Sequence, residues 1–396
     1  MHFFHPTPLD IVEQFIASTT KGKYFSRVLE PCVGNGALLT SLENNFDKLT
    51  IIDIDIDKLK GFLNENYNVY AGDFLDIQLN EKFDLILCNP PFNNKSISGL
   101  SIEEQFLSKC LNLLEHEGYG IFILPSSIVN GTKAKKIRKY LIKYFTILSI
   151  NILPKNSFSK IESHFYIITL QNIKPLKKYT FATNMGEMCI QDILINDHLP
   201  LNPKILFNSK NYNKILNSFP SFNLSKEPIF RGTTQKNQSQ VHTTHFSSHF
   251  FCPKNVLPYI KNGKTIKKYD LIYKRVGRNC HNSFSIYLGQ ESLVVSDCVV
   301  VIPSNSDNYF NNLILLLNIR LSILLGASCN FMIDGSGANY IPLVKLKNTE
   351  FINFKDFLSK KTIEDYYFLL LENNINNLLI FENRLKSTIL TKIGTK

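Results

Sequence analysis

Asp84-Leu85-Ile86-Leu87-Cys88-Asn89-Pro90-Pro91-Phe92 is the stretch on which the fold of this 396-residue chain turns. Its apolar run reads as a buried strand. The two prolines end that strand, because neither has an N–H for a ladder and both fix φ. An asparagine amide, backbone carbonyls and an aromatic ring are left at the strand's carboxyl end. In an open α/β sheet that edge is where ligands bind.

The residues upstream supply neighbours for such a strand. Arg27-Val28-Leu29-Glu30 reads as a short strand, followed by the turn Pro31-Cys32-Val33-Gly34-Asn35-Gly36 and a helix opening at Ala37-Leu38-Leu39. Glycines there let backbone approach a ligand and the helix N-terminus offers free amides, although many such turns use glycine for φ alone. Residues 49–52 form a second strand ending in Asp53-Ile54-Asp55-Ile56-Asp57, before a helix through Leu59, Phe62 and Leu63. An acid at that tip, about 20 residues after the glycine turn, is how a nucleoside-binding sheet holds ribose hydroxyls. Each acid singly also reads as a helix N-cap, a role that stays open for Asp55 and Asp57. A third strand over 68–71 runs into Gly72-Asp73-Phe74-Leu75. Asp73 is either a turn residue or, with the ring beside it, a partner for the amino group and face of an adenine. Ahead of these, Leu9, Ile11, Val12, Phe15 and Ile16 recur at helical spacing after Pro6-Thr7-Pro8.

Downstream the alternation continues, with a helix over 102–114, a stop at Gly118, a strand over 119–124, a basic helix over 133–143 and a strand over 145–152. After the loop Pro154-Lys155-Asn156-Ser157-Phe158-Ser159-Lys160 comes a strand over 163–170. This alternation predicts an α/β fold, a Rossmann-like doubly wound sheet, mostly parallel, of seven strands. Phe158, flanked by Ser, Asn and Lys, reads on its own as a loop anchor tucked into the core. Lys174-Pro175-Leu176-Lys177-Lys178 marks the exit from a first domain, 1–173, and residues 174–205 read as a connecting region. The second domain, 206–396, is mixed α+β, with short strand-like runs at 228–230, 271–276, 284–288 and 298–302 and helices over 313–325 and 363–390.

Net charge is +11, and residues 201–290 hold fourteen lysines and arginines against Glu227 and Asp270, so the rest of the chain is close to neutral. An excess confined in this way favours a polyanion partner over a merely solvated face. Arg231, Lys236, Lys274, Arg275 and Arg278 lie in it, the first two bracketing the polar run that continues through Asn237-Gln238-Ser239-Gln240. Such side chains reach phosphates and base edges, with a flexible linker as the plainer alternative. Eight cysteines without a C-x-x-C pair, and His242, His245 and His249 in a Thr/Ser-rich loop, predict neither a metal site nor disulfides and fit a reducing cytoplasm. No signal-peptide pattern opens the chain, and its most apolar run, 313–325, is too short for a membrane span.

In combination, Pro6-Thr7-Pro8, Glu30-Pro31-Cys32-Val33-Gly34-Asn35-Gly36, Asp53-Ile54-Asp55, Gly72-Asp73-Phe74-Leu75, Asn89-Pro90-Pro91-Phe92 and Phe158 resemble, in order, the Taq-type DNA adenine-N6 methyltransferases of restriction-modification systems, whose target-recognition domain comes last. In the second half, Asp270-Leu271-Ile272-Tyr273-Lys274-Arg275-Val276-Gly277 and Gly337-Ala338-Asn339-Tyr340-Ile341-Pro342 are more loosely similar to recognition domains of type I specificity subunits. The resemblance implies methyl transfer from S-adenosylmethionine to the exocyclic N6 of an adenine flipped out of double-stranded DNA. It implies that Thr7 and the turn Glu30, Pro31, Cys32, Val33, Gly34 hold the methionine part, Asp53 the ribose, and Asp73 and Phe74 the adenine, with Pro91 facing the cofactor. The Asn89 side-chain carbonyl and the Pro90 backbone carbonyl would accept the two amine hydrogens. Phe92, where the family more often has Tyr, and Phe158 would stack on the flipped base, which reverses the plain reading of Phe158.

A monomer is expected, without a fused nuclease, since the stretches before Pro6 and after Ile341 are too short for such a domain; a separate cognate restriction endonuclease is what the resemblance implies. Corners of this kind also serve enzymes that methylate RNA or protein glutamine, and an inactive DNA-recognition module is the non-enzyme alternative. Cofactor motifs placed ahead of the basic half favour DNA, and the intact Asn89-Pro90-Pro91-Phe92 favours an enzyme.

Overall fold

Asp84 fixes the start of its strand, because its carboxylate accepts the backbone N–H groups of Ser26 and Arg27 at 2.6 Å each from the strand alongside. The computed structural model describes residues 6–43, 45–62, 67–92, 99–158, 163–196, 198–233, 240–246, 263–277, 279–304, 309–332 and 339–394. They divide into two compact units, 1–207 and 208–396.

The first unit is built on a sheet of β1 (Phe25–Glu30), β2 (Phe46–Asp53), β3 (Tyr67–Ala71), β4 (Phe83–Cys88), β5 (Leu114–Pro125), β6 (Thr146–Ile152), β7 (Phe165–Gln171), β8 (Thr180–Thr183) and β9 (Met188–Cys189). Their order is β3-β2-β1-β4-β5-β7-β6-β8-β9, parallel from β3 to β5, with β7 antiparallel to both its neighbours. The expected Rossmann-like α/β sheet is therefore present. Side chains alternate across it: Leu85 and Leu87 join one buried cluster with Ile121, Ile123 and Ile167, while Ile86 and Cys88 join the other with Phe122, Leu124 and Ile168. Burial on both faces is why the central strands read as unbroken apolar runs. Strand order reverses between β1 and β4, so a crevice opens beside the carboxyl ends of these two strands.

Two strands exceed the seven expected, and they come from the stretch read as a connecting region. β8 pairs in parallel with β6, and β9 turns back on β8. Buried Arg138 ties the rest of that stretch down, donating to the carbonyls of Ile128, Gly131, His198 and Leu199 at 2.6 to 3.0 Å. Burial pulls its pKa down to about 10. The sequence signal misled because both strands are short, and β8 joins the sheet only by pairing with residues 33 positions away.

The second unit is α+β, as expected. Phe230–Arg231, Val299–Ile302, Leu271–Lys274 and Ser285–Ile286 form a four-stranded sheet in that order, with helix Tyr309–Leu324 against its core. The helix expected over 363–390 is two, Lys360–Leu371 and Ile375–Ile393. Asn373 takes a left-handed φ of 51° and the Asn374 side chain accepts from Asn377 N–H, ending one helix and capping the next. Among the described residues no helix is long and apolar enough to cross a membrane.

Candidate active site

The turn after β1 is shaped by Gly34 and Gly36, both left-handed, with φ of 54° and 73°. Any other residue at Gly36 is strained by that φ, and its Cβ would stand 2.6 Å from the Phe62 ring, which would have to shift. The turn is stitched to β2 through Asp53, whose two carboxylate oxygens accept Gly34 N–H at 2.8 Å and Asp55 N–H at 2.9 Å. Asp55 takes the plainer role, capping the short helix Ile56–Leu59 by accepting from Asp57 N–H. Beside them Lys58 Nζ donates to Asn35 Oδ1 at 2.7 Å.

Glu30 ends β1 at 1 % exposure, and its Oε2 has no hydrogen-bond partner. Burial first, then the neighbouring Cys32 and Asp53, hold its carboxyl well above the usual range. After β3, Asp73 Oδ1 accepts from Leu75 N–H at 2.8 Å and Phe74 packs on Phe106 with ring centroids 5.2 Å apart. Lys109, from helix Ile102–Leu113, clamps this turn by donating to the carbonyls of Phe74, Leu75 and Ile77 at 2.5, 3.0 and 2.6 Å.

At the corner after β4, Asn89 Nδ2 donates to Thr7 Oγ1 at 2.8 Å, and the Asn89 backbone carbonyl accepts from Cys32 Sγ at 3.1 Å. Asn89 Oδ1 is buried with no hydrogen-bond partner. These elements enclose a cavity of about 200 Å³ lined by Thr7, Glu30, Pro31, Cys32, Val33, Asp53, Asp73, Phe74, Asn89, Pro90, Pro91 and Phe92. Gly34 and Phe158 do not line it. Pro6, Asn35, Asp55, Lys58, Ile102 and Phe106 also do. Ile102 and Phe106 carried only the apolar i, i+4 signal of a core helix, and nothing local marks them as lining.

The two rings assigned to the flipped base pack on each other. Phe92 and Phe158 touch edge to face, centroids 5.6 Å apart at 70°, and each lies 4.6 Å from Phe165. Both are 3 % exposed. Phe158 has the position of a loop anchor in the core, while Phe92 lines the cavity.

In the second unit, Arg231 and Lys274 lie on strands flanking Val299–Ile302, at its amino end. Arg231 is held there by Asp297, donating from Nε to the backbone carbonyl at 2.5 Å and from Nη2 to the carboxylate at 2.6 Å. Arg275 follows, its N–H bonded to Cys298 O and its Nε buried without a hydrogen-bond partner. Three basic residues thus meet at one end of the sheet. Lys236, Arg278 and His249 lie outside the described residues.

A Rossmann-like sheet with a cavity at its switch point, closed by an Asn-Pro-Pro corner, has its cavity where open α/β sheets bind nucleotide-like ligands. Residues 30–158 match the Eco57I restriction-modification methylase family. The chain is 27% identical over 302 residues to the modification methylase CviBIII of Paramecium bursaria Chlorella virus NC1A, covering 69% of this chain and 75% of that protein. It is 24% identical over 237 residues to the type II methyltransferase M.AccI of Acinetobacter calcoaceticus, covering 52% of this chain and 43% of the relative. Among solved structures, the type IIG restriction endonuclease BpuSI superposes with a TM-score of 0.49 at 11% identity, over 92% of this chain and 60% of that one. The likeness to restriction-modification methyltransferases, read from the motifs, is shown by the family and sequence matches.

Proposed function

We propose that the protein is an S-adenosylmethionine-dependent DNA methyltransferase that modifies the exocyclic N6 of an adenine flipped out of the duplex, as the modification enzyme of a restriction-modification system. The observation that carries this reading is the buried, unpartnered Oδ1 of Asn89 on the cavity beside Pro90. An aromatic amine is a poor nucleophile, because its lone pair is delocalised into the ring. Two acceptors on its hydrogens, Asn89 Oδ1 and the Pro90 carbonyl, draw the nitrogen towards sp³ and stabilise the positive charge that develops on it. No strong base is needed beforehand, since the amine proton becomes acidic only after transfer.

The residues on the other side of the cavity fit the cofactor. Glu30 offers a buried carboxylate oxygen lacking a partner, matched to an α-amino group, and Asp53 retains lone pairs for ribose hydroxyls. Asp73 and Phe74 suit an adenine, and Val33 and Pro91 supply apolar surface. S-adenosylmethionine, when bound, supplies an electrophilic methyl group. The chain's own part is to hold donor and amine in line and to exclude water. Phe92, which lines the cavity, is the ring on which the flipped base would stack.

The test is tritiated methyl incorporation into duplex DNA, tRNA and release factor in parallel, followed by modification-sensitive sequencing of the labelled DNA. N6-methyladenine in a fixed sequence context is expected. Asn89→Ala should lower kcat by about 10²- to 10³-fold. Label in tRNA or release factor alone, or an Asn89→Ala protein as active as wild type, overturns the reading.

A further inference from the structure

Asn89 is gripped at two atoms and open at a third. Nδ2 donates to Thr7 Oγ1, the backbone carbonyl accepts from Cys32 Sγ, and Oδ1 alone is without a hydrogen-bond partner. The two ends of an asparagine amide are nearly the same shape, and what distinguishes them is that one accepts and the other donates. A corner that presents oxygen can receive an amine. A corner that presents NH2 meets the amine donor to donor and loses both the contact and the charge stabilisation.

Resting on the function proposed above, we infer that Thr7 is the positioning residue that holds the Asn89 amide with its oxygen towards the cavity, and thereby selects an amine over a carbonyl group of the same shape. Thr7 is itself 8 % exposed and 82 positions from Asn89 in sequence, so this contact forms only in the folded unit. Its hydroxyl accepts from Nδ2 and keeps its own hydrogen for another acceptor in the cavity. Without that oxygen the productive orientation leaves a buried NH2 unpaired, and the opposite orientation gains population. Cys32 holds the backbone of the same residue, so the side-chain torsions are what Thr7 is left to govern.

The experiment uses the full chain. Modification-sensitive sequencing first locates the base that wild type methylates, and duplexes are then made with adenine or hypoxanthine at that position. Thr7→Val and Thr7→Ser are compared with wild type for kcat at saturating cofactor, for S-adenosylhomocysteine affinity and for the adenine-over-hypoxanthine binding preference. Thr7→Val is expected to lose about 10- to 100-fold in kcat, to keep the wild-type circular dichroism spectrum and thermal unfolding midpoint, which report that it folds, and to lose most of its base preference. Thr7→Ser should restore both. The inference is overturned if Thr7→Val weakens S-adenosylhomocysteine binding while kcat at saturation is retained, since Thr7 would then serve the cofactor. It is equally overturned if Thr7→Ser performs no better than Thr7→Val. A wild-type protein that transfers no methyl group to DNA removes the function itself, a result seen before any variant is compared.

Discussion

Glu30 is a buried carboxyl at the end of β1 whose Oε2 has no hydrogen-bond partner. Desolvation raises its folded-state pKa above the unfolded carboxylate value, so its contribution to stability is fully present below the unfolded pKa and is lost as pH rises through the folded one. A cationic amino group placed beside Oε2 favours the carboxylate, so cofactor affinity should rise over the same pH interval. Glu30→Gln keeps the shape and removes the charge. Its thermal unfolding midpoint, without ligand, is expected to exceed that of wild type at pH 7 to 8 and to vary less with pH, while calorimetry finds S-adenosylhomocysteine binding weakened by at least about tenfold. Equal stability of the two proteins at all pH values would refute the assignment of Glu30 as a buried carboxyl held against its preference.

At the scale of elements, two cations act as fasteners. Lys109 holds three successive carbonyls of the turn after β3 from helix Ile102–Leu113, and its own pKa is lowered by burial. Lys109→Met should free that turn and weaken S-adenosylhomocysteine binding about tenfold, with kcat at saturating cofactor retained. In the second unit, Arg320 of Tyr309–Leu324 meets Glu382 of Ile375–Ile393, with Nη2 to Oε2 at 2.9 Å, and donates to the carbonyls of Asn282 and Phe284. Tyr366 of Lys360–Leu371 donates to the same Glu382 at 2.6 Å. All three side chains are buried. Glu382→Ala strands Arg320 without a counter-charge and is expected to destabilise the unit by about 3–5 kcal/mol in denaturant unfolding. Arg320→Met with Glu382→Leu should recover only part of that loss, because the pair's own desolvation is avoided but the carbonyls of Asn282 and Phe284 and the Tyr366 hydroxyl lose their partners.

For the whole molecule, charge decides how it meets a polyanion. The first unit is near neutral only on average: helix Lys135–Tyr144 exposes Lys135, Lys136, Lys139 and Lys143 with Tyr140 and Tyr144, and no acidic residue occurs from 118 to 160. The second unit adds Arg231, Lys274 and Arg275 at one end of its sheet. Non-specific duplex affinity should therefore fall about a hundredfold between 50 and 200 mM salt, the change expected for four phosphate contacts. Fluorescence anisotropy over that range measures it, and a flat salt response would show that these cations face solvent only.

Much of the first unit follows from residue order alone, because its signals are local. Proline ends β4, glycine shapes the turn after β1, and unbroken apolar runs mark the central strands, so strand sequence, the Asn89 corner and the acids at the sheet edge were all legible. What tertiary structure alone decided are relations between distant residues. Thr7 meets Asn89, Lys109 reaches the turn after β3, Asp53 divides itself between Gly34 and Asp55, and residues 174–205 complete the sheet. Phe158 belongs here too, since composition cannot say whether a loop ring closes on Phe92 and Phe165 or stands apart from them. The same holds for the charge on Glu30 and the side of Asn89 that faces the cavity. Burial and hydrogen-bond partners set both, and neither exists until the chain has folded.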